Sequence, residues 1–202
     1  MAFQLFDSGD IEGHGDNTIS TGTFSIKYVA LSLSYARLLT GDIAVGVTYK
    51  QLFEKVSQED AGGYAVDAGI AWETPLQGLS VGAAARNFGR MSILKNERTK
   101  LPSDASVGLH YRGIIPNIRW DYVLASDYVA PLYGSKGVRL GLEVEPVDRL
   151  FLRTGYRSDS DFEDVSFGVG LNFGMFTADV SYTPMVELYD NALRFTLSLA
   201  GF

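Results

Sequence analysis

The chain of 202 residues has no cysteine and only two histidines, His14 and His110. Without cysteine there is no disulfide framework, no thiolate metal site and no thiol nucleophile. Two histidines are too few for most imidazole metal centres. Basic residues are outnumbered, 17 Lys and Arg against 24 Asp and Glu, for a net charge of −7. A broad nucleic-acid-binding face would need a basic stripe, so nucleic acid is excluded as a partner. Long apolar runs are missing too. A membrane helix needs about 20 mostly apolar residues in a row, whereas stretches such as residues 28–31 and 122–125 stop after about four. Residues 1–7 have neither a basic n-region nor an apolar h-region, so no signal peptide is read there. These absences leave a β-barrel open, because a barrel strand carries only a weak alternating signal over about 10 residues.

What the chain does have is alternation, together with 12% aromatic residues and 22 glycines. Val29, Leu31, Leu33 and Tyr35 share one parity, and Ala30, Ser32, Ser34 and Ala36 the other. Side chains alternate faces along a strand, so one face is large and apolar and the other small or polar. The pattern recurs. Val138, Leu140, Leu142 and Val144 oppose Arg139, Gly141, Glu143 and Glu145, and Val165, Phe167, Val169, Leu171 and Phe173 oppose Ser166, Gly168, Gly170 and Asn172. With a shorter segment at residues 2–7, the period predicts about twelve strands and no long helix. Short turns are expected at 40–42, 75–78, 113–116, 146–149 and 174. Longer polar loops are expected at 9–22, 57–63, 92–102, 127–136, 158–163 and 185–191. Short turns at one end and long loops at the other is the layout of an outer-membrane barrel.

The polar parity separates a membrane barrel from a soluble sandwich. A sandwich turns a Lys- and Glu-rich face to water, but here Gly, Ser, Ala and Thr dominate, with sparse charges of both signs. That composition suits a confined wet lumen. The apolar parity is nearly free of charge in the strand centres, where a charge at the bilayer midplane would cost about 2–4 kcal/mol. Tyr35, Trp72, Tyr111, Trp120, Phe173 and Phe176 lie near short turns, and Tyr64, Tyr156 and Tyr182 near long loops. Aromatic girdles at both interfaces follow from the headgroup preference of amphipathic rings. The reading is an all-β chain, an antiparallel transmembrane β-barrel in contact with outer-membrane lipid, forming one domain over residues 1–202.

Several stretches carry a family resemblance. They include Gly9-Asp10-Ile11-Glu12-Gly13, residues 30–36 (Ala-Leu-Ser-Leu-Ser-Tyr-Ala), Arg86-Asn87-Phe88-Gly89, Leu101-Pro102, Gly155-Tyr156-Arg157, residues 167–171 (Phe-Gly-Val-Gly-Leu) and Tyr182-Thr183-Pro184. In order and spacing the chain resembles the PorV/PorQ-type outer-membrane proteins, which are FadL-like barrels. The resemblance implies fourteen strands preceded by a signal peptide and an N-terminal hatch. The segments read here would be the last twelve, so the expectation is a C-terminal piece that lacks the signal, hatch and first strands. It also implies a terminal aromatic assembly signal, which Phe202 supplies. Leu193, Phe195, Leu197 and Leu199 have the opposite parity to Phe202, and a bulge near Ala200-Gly201 would restore the step. For function, the resemblance implies a non-enzymatic component of type IX secretion that acts with secretion components and secreted cargo. The alternatives are a FadL-like channel for passive uptake of a hydrophobic ligand, and a structural barrel without a dedicated substrate.

No residue pattern points to catalysis or to a cofactor. The carboxylates Asp7, Asp10, Glu12 and Asp16 do not have EF-hand spacing and read as a solvated loop, as does the acidic run 158–164. His110 falls on the lumen parity near Arg112, with no serine in a nucleophile motif beside it. The lumen charges are Asp67, Arg86, Arg112, Arg119, Asp121, Arg139, Glu143, Glu145, Arg153, Arg157, Asp179 and Arg194. They read either as a mutually paired polar network or as a selectivity lining. On the long-loop side, Met91, Ile93, Leu94, Tyr128, Val129, Leu132, Tyr133, Met185, Val186, Leu188 and Tyr189 are apolar. They mark either a partner surface or a loop bundle that packs on itself; the partner-binding candidates among them are Tyr128, Leu132, Tyr133, Met185, Leu188 and Tyr189. The barrel reading predicts that the unheated protein migrates differently from the boiled protein in a detergent gel. Recovery of full-length chain in the soluble fraction would sink it.

Overall fold

The computed structural model describes residues 1–14, 20–57, 59–94, 97–160, 164–185 and 191–199. Its elements are all strands: β1 (Ala2–Asp7), β2 (Ile11–His14), β3 (Ser20–Phe24), β4 (Ile26–Leu38), β5 (Ile43–Val56), β6 (Glu59–Glu73), β7 (Leu79–Met91) and β8 (Ile93–Leu94), followed by β9 (Glu97–Arg98), β10 (Asp104–Ile115), β11 (Trp120–Pro131), β12 (Gly137–Val147), β13 (Leu150–Arg157), β14 (Val165–Asn172), β15 (Phe176–Thr183) and β16 (Ala192–Leu199). Twelve of them form one antiparallel sheet in the order β1-β4-β5-β6-β7-β10-β11-β12-β13-β14-β15-β16, the number the alternation predicts. The pairs β2-β3 and β8-β9 are separate hairpins. Among the described residues no helix is long and apolar enough to cross a membrane.

Register sorts the faces as the period requires. Leu124, Leu142, Thr154 and Phe167 lie opposite one another across β11 to β14, and the adjacent row is Val123, Glu143, Arg153 and Gly168. In β4 and β5, Leu33 faces Tyr49 while Ser34 faces Thr48, their hydroxyls 2.9 Å apart. The large apolar rows are the exposed ones: Leu33 is 65% exposed, and Phe195 and Leu197 are 73%. The accessible surface is 14596 Å², against about 9,300 Å² expected for a soluble monomer of this mass. Among the described residues only Ala61, Ala65, Met91 and Val129 are buried apolar side chains. Burying a large apolar side chain stabilises by about 1.5–3 kcal/mol. Most of that gain is unrealised here unless the apolar face meets an apolar medium.

Four expected loops differ from the structure. The 9–22 stretch contains the β2-β3 hairpin, with Ile11 opposite Phe24. In the 57–63 stretch Ser57 adopts a left-handed φ of 58° and β6 already begins at Glu59, so Ala61 and Gly63 are strand residues. The 127–136 stretch begins as strand: Asp127 faces Arg139 and Tyr128 faces Val138, so β11 runs on to Pro131. Its polar residue sits on the polar face, which hydropathy alone reads as a loop. The 92–102 loop also contains β8 and β9.

The chain divides into two compact units, Met1–Ile70 with Ala84–Ala105, and Ala71–Ala83 with Ser106–Phe202. In the first, β7 changes course at Asn87, whose φ of 57° is in the left-handed region that Asn tolerates. Four groups of this residue are bound by four different residues. Its N–H donates to Asp67 Oδ1 (2.8 Å) and its carbonyl accepts from Ser103 Oγ (2.7 Å). Its Oδ1 accepts from Lys50 Nζ (2.8 Å), and Nδ2 donates to the Pro102 carbonyl (3.1 Å). Beyond it, a Cβ on Gly89 would stand 1.9 Å from the Tyr64 carbonyl oxygen, and one on Gly63 2.3 Å from the Met91 sulfur. Glycine is needed at both places because β6 and the end of β7 approach so closely, and the buried Ala61, Ala65 and Met91 gather there.

Replacing Asn87 separates these contributions. Asn87→Gly loses two side-chain hydrogen bonds, about 2 kcal/mol in all. Asn87→Ala loses the same bonds and adds about 1 kcal/mol of left-handed backbone strain. Denaturant titration should rank the alanine variant as the less stable; equal losses would show that the backbone conformation is not what Asn87 is there for.

Candidate functional site

The polar face carries the charged side chains, and in the second unit they meet around Arg153. This residue on β13 stands between Glu143 on β12 and Gly168 on β14. Its Nε donates to Glu143 Oε2 at 2.5 Å, and its Nη1 donates to Asp179 on β15, two strands away. The reach is possible because Gly170 of β14 has no side chain: a Cβ there would lie 2.5 Å from Asp179 Oδ1 and 3.0 Å from Arg153 Nη1. The guanidinium carbon also lies 5.3 Å from the centre of the Phe151 ring. One arginine therefore ties β12, β13 and β15 together across a glycine floor, with both carboxylates supplying charge-assisted bonds.

A second cluster lies at the loop end of β12 and β13. Arg139 and Arg157 face each other in register, and like charges directly opposite are destabilising. Asp159 answers both, its carboxylate 2.5 Å from Arg139 Nη2 and 3.2 Å from Arg157 Nε, with its side chain only 5% exposed. The chain folds back to deliver it: Val138 N–H donates to Ser158 Oγ (2.8 Å), and Ser158 N–H to the Val138 carbonyl (3.0 Å). The Arg139 hydrogen bond, with Arg157 assisting against the cost of burial, holds the Asp159 carboxyl far below the usual carboxylate range. This corrects the reading of the acidic run as a solvated loop, at least at Asp159; residues 161–163 lie outside the described residues.

Arg112 and Asp121 help line a polar recess of about 210 Å³ with Tyr122, Val123, Glu143, Glu145 and Phe151. In the first unit, Asp67 pairs with Lys50 (2.7 Å), and Arg86 sets both Nε (3.0 Å) and Nη2 (2.8 Å) on Asp104 Oδ1. Arg194 is exposed opposite Ser181 and makes no ion pair among the described residues. Arg119 is not on the polar face at all. It sits in the turn after β10 with φ 55°, its N–H donating to the Ile115 carbonyl (2.8 Å), because β11 begins only at Trp120. Lys50, Asp104 and Asp159 complete the pairs and were not among the expected lumen charges. Opposed Arg139 and Arg157 with an Asp two residues on was the one signal available. Among the described residues, no group of three or more His, Asp or Glu is arranged to hold a metal.

The expected loop-side candidates separate. Tyr128 is exposed but lies within β11, and its neighbour Val129 is 2% exposed, a strand residue of the interior. Leu132 and Tyr133 are exposed in the connection that follows. Met185 follows β15, its N–H donating to Asn191 Oδ1 (3.1 Å). Leu188, Tyr189 and Phe202 lie outside the described residues. A groove of about 530 Å³, with no charged residue in its lining, runs among Leu109, Tyr111, Leu124, Leu140, Leu142 and Tyr156.

The Asp159 clasp has a defined pH signature. A carboxyl whose folded pKa is depressed contributes stability that is full above its unfolded value, about 3.9, and that drains as pH falls toward the folded value. Asp159→Asn should cost about 2 kcal/mol at pH 7, and the gap to the parent should shrink as titrations approach pH 3. A gap independent of pH would show that the pairing is not the source. No protein-family model matches the chain, and no curated protein matches it.

Proposed function

We propose that this chain is a bacterial outer-membrane β-barrel protein that serves protein secretion, as a non-enzymatic PorV/PorQ-like component of a type IX system. The observation that carries the membrane part is the inverted surface. Large apolar side chains stand outward on one face of the sheet, while the ion-paired charges collect on the other. Lipid hydrocarbon is the medium that makes such a face stable. The secretion part rests on the family resemblance of the sequence stretches around Arg86-Asn87-Phe88-Gly89 and Gly155-Tyr156-Arg157. The exposed Tyr128, Leu132 and Tyr133 offer a surface for cargo or a secretion component.

A second reading is a FadL-like channel for passive uptake of hydrophobic small molecules, which rests on the same family resemblance. Deleting the full gene distinguishes the two. Cargo held in the periplasm supports secretion, and normal secretion with impaired hydrocarbon uptake supports the channel. The membrane part has its own test. Val169 is exposed on the apolar face of β14, so Val169→Arg should cost about 2–4 kcal/mol of insertion. Thr196 faces Asp179 on the polar side, so Thr196→Arg should fold into membranes like the parent. Equal tolerance of both would remove the membrane assignment.

A further inference from the structure

Thr99 belongs to the connection between β7 and β10, yet its Oγ1 donates to Glu54 Oε2 on β5 at 2.7 Å. In the sheet, β5 is separated from β10 by both β6 and β7. The segment must therefore run back over the sheet to make this bond. Glu54 has the parity of Lys50, which is bonded to Asp67 and Asn87, so the crossing is on the polar face. The segment is fastened there at its other end by the Asn87 bonds to Pro102 and Ser103. The side chains buried in the first unit are Ala61 and Ala65 on the polar parity of β6, Met91 at the end of β7, Ser103 in the segment itself and Glu54, which is 5% exposed.

We propose that residues 97–103 form a strap that closes the polar face of β6 to solutes and is held shut by the Thr99–Glu54 hydrogen bond. The latch is suited to release. A buried carboxylate must be hydrogen-bonded, and Glu54 has hydroxyl donors from Thr99 and from Tyr28 (3.0 Å). When the strap lifts, water replaces the Thr99 hydroxyl, so Glu54 is satisfied in both states. The floor is suited as well, since Ala61 and Ala65 are small and leave no side chain to obstruct the strap. The barrel reading decides what solutes meet at this face, but the existence of the strap does not depend on it.

The chain has no cysteine, so one introduced thiol reports one place. Ala61→Cys and, separately, Ala65→Cys, both at buried positions of β6, are treated with an anionic methanethiosulfonate, which is itself a polar solute. With the latch intact both thiols should react slowly. Thr99→Val should speed both by about tenfold or more, the scale of a hydrogen bond to a charged group, and Thr99→Ser should restore slow reaction. Val129→Cys, buried in the second unit, should stay slow throughout. Unchanged rates at both β6 positions in Thr99→Val overturn the proposal, as does equal acceleration at Val129→Cys, which would mean general loosening. Failure of the barrel reading shows separately, as loss of heat-modifiable migration.

Discussion

Backbone hydrogen bonding between neighbouring strands is the constraint on which the rest of this structure depends. With so few buried apolar side chains among the described residues, the ladders of the twelve-stranded sheet do the work a core does elsewhere. This explains why the sequence keeps its period so strictly. A one-residue slip would move Leu142 to the charged face and Glu143 to the apolar one. Where the ladder is interrupted, at Asn87, each freed group finds a polar partner, as an unsatisfied group under a covered face would be costly.

The polar face is organised by the distances that strands impose. Neighbouring strands lie about 4.8 Å apart, so a carboxylate two strands away is beyond a short side chain and within reach of arginine. Arg153 uses that reach over Gly170, and Arg139 and Arg157 use theirs to share one carboxylate. Glycine and arginine are thus complementary on this face: one clears the path that the other crosses.

The strands were legible because period-2 alternation is a local signal, and the main-sheet strands were all anticipated from it. The polar face was legible in part for the same reason. Asp67, Arg86, Arg139, Glu143, Arg153 and Asp179 fall on it by parity, and the structure finds them paired. Partners were not legible, because pairing depends on register and on how a connection folds back. Asp159 looked solvated among its acidic neighbours, and nothing local marks Thr99 as the partner of Glu54, 45 residues away. Arg119 failed for the opposite reason: parity was extended one turn too far, into residues that close a bend. Tyr128 and Val129, expected in the 127–136 loop, are strand residues, because Asp127 faces Arg139 across a strand pair and β11 runs on past it.

The partners of Asn87 also impose an order of events. Lys50 and Asp67 precede it along the chain, while Pro102 and Ser103 follow. With only one of these sets in place the left-handed turn is only partly supported, and Gly89 and Met91 have no fixed reason to settle on β6. Closing such distant contacts costs loop entropy before any stabilisation returns. The first unit therefore closes cooperatively: the end of β7 can settle on β6 only when residues 102 and 103 dock on Asn87.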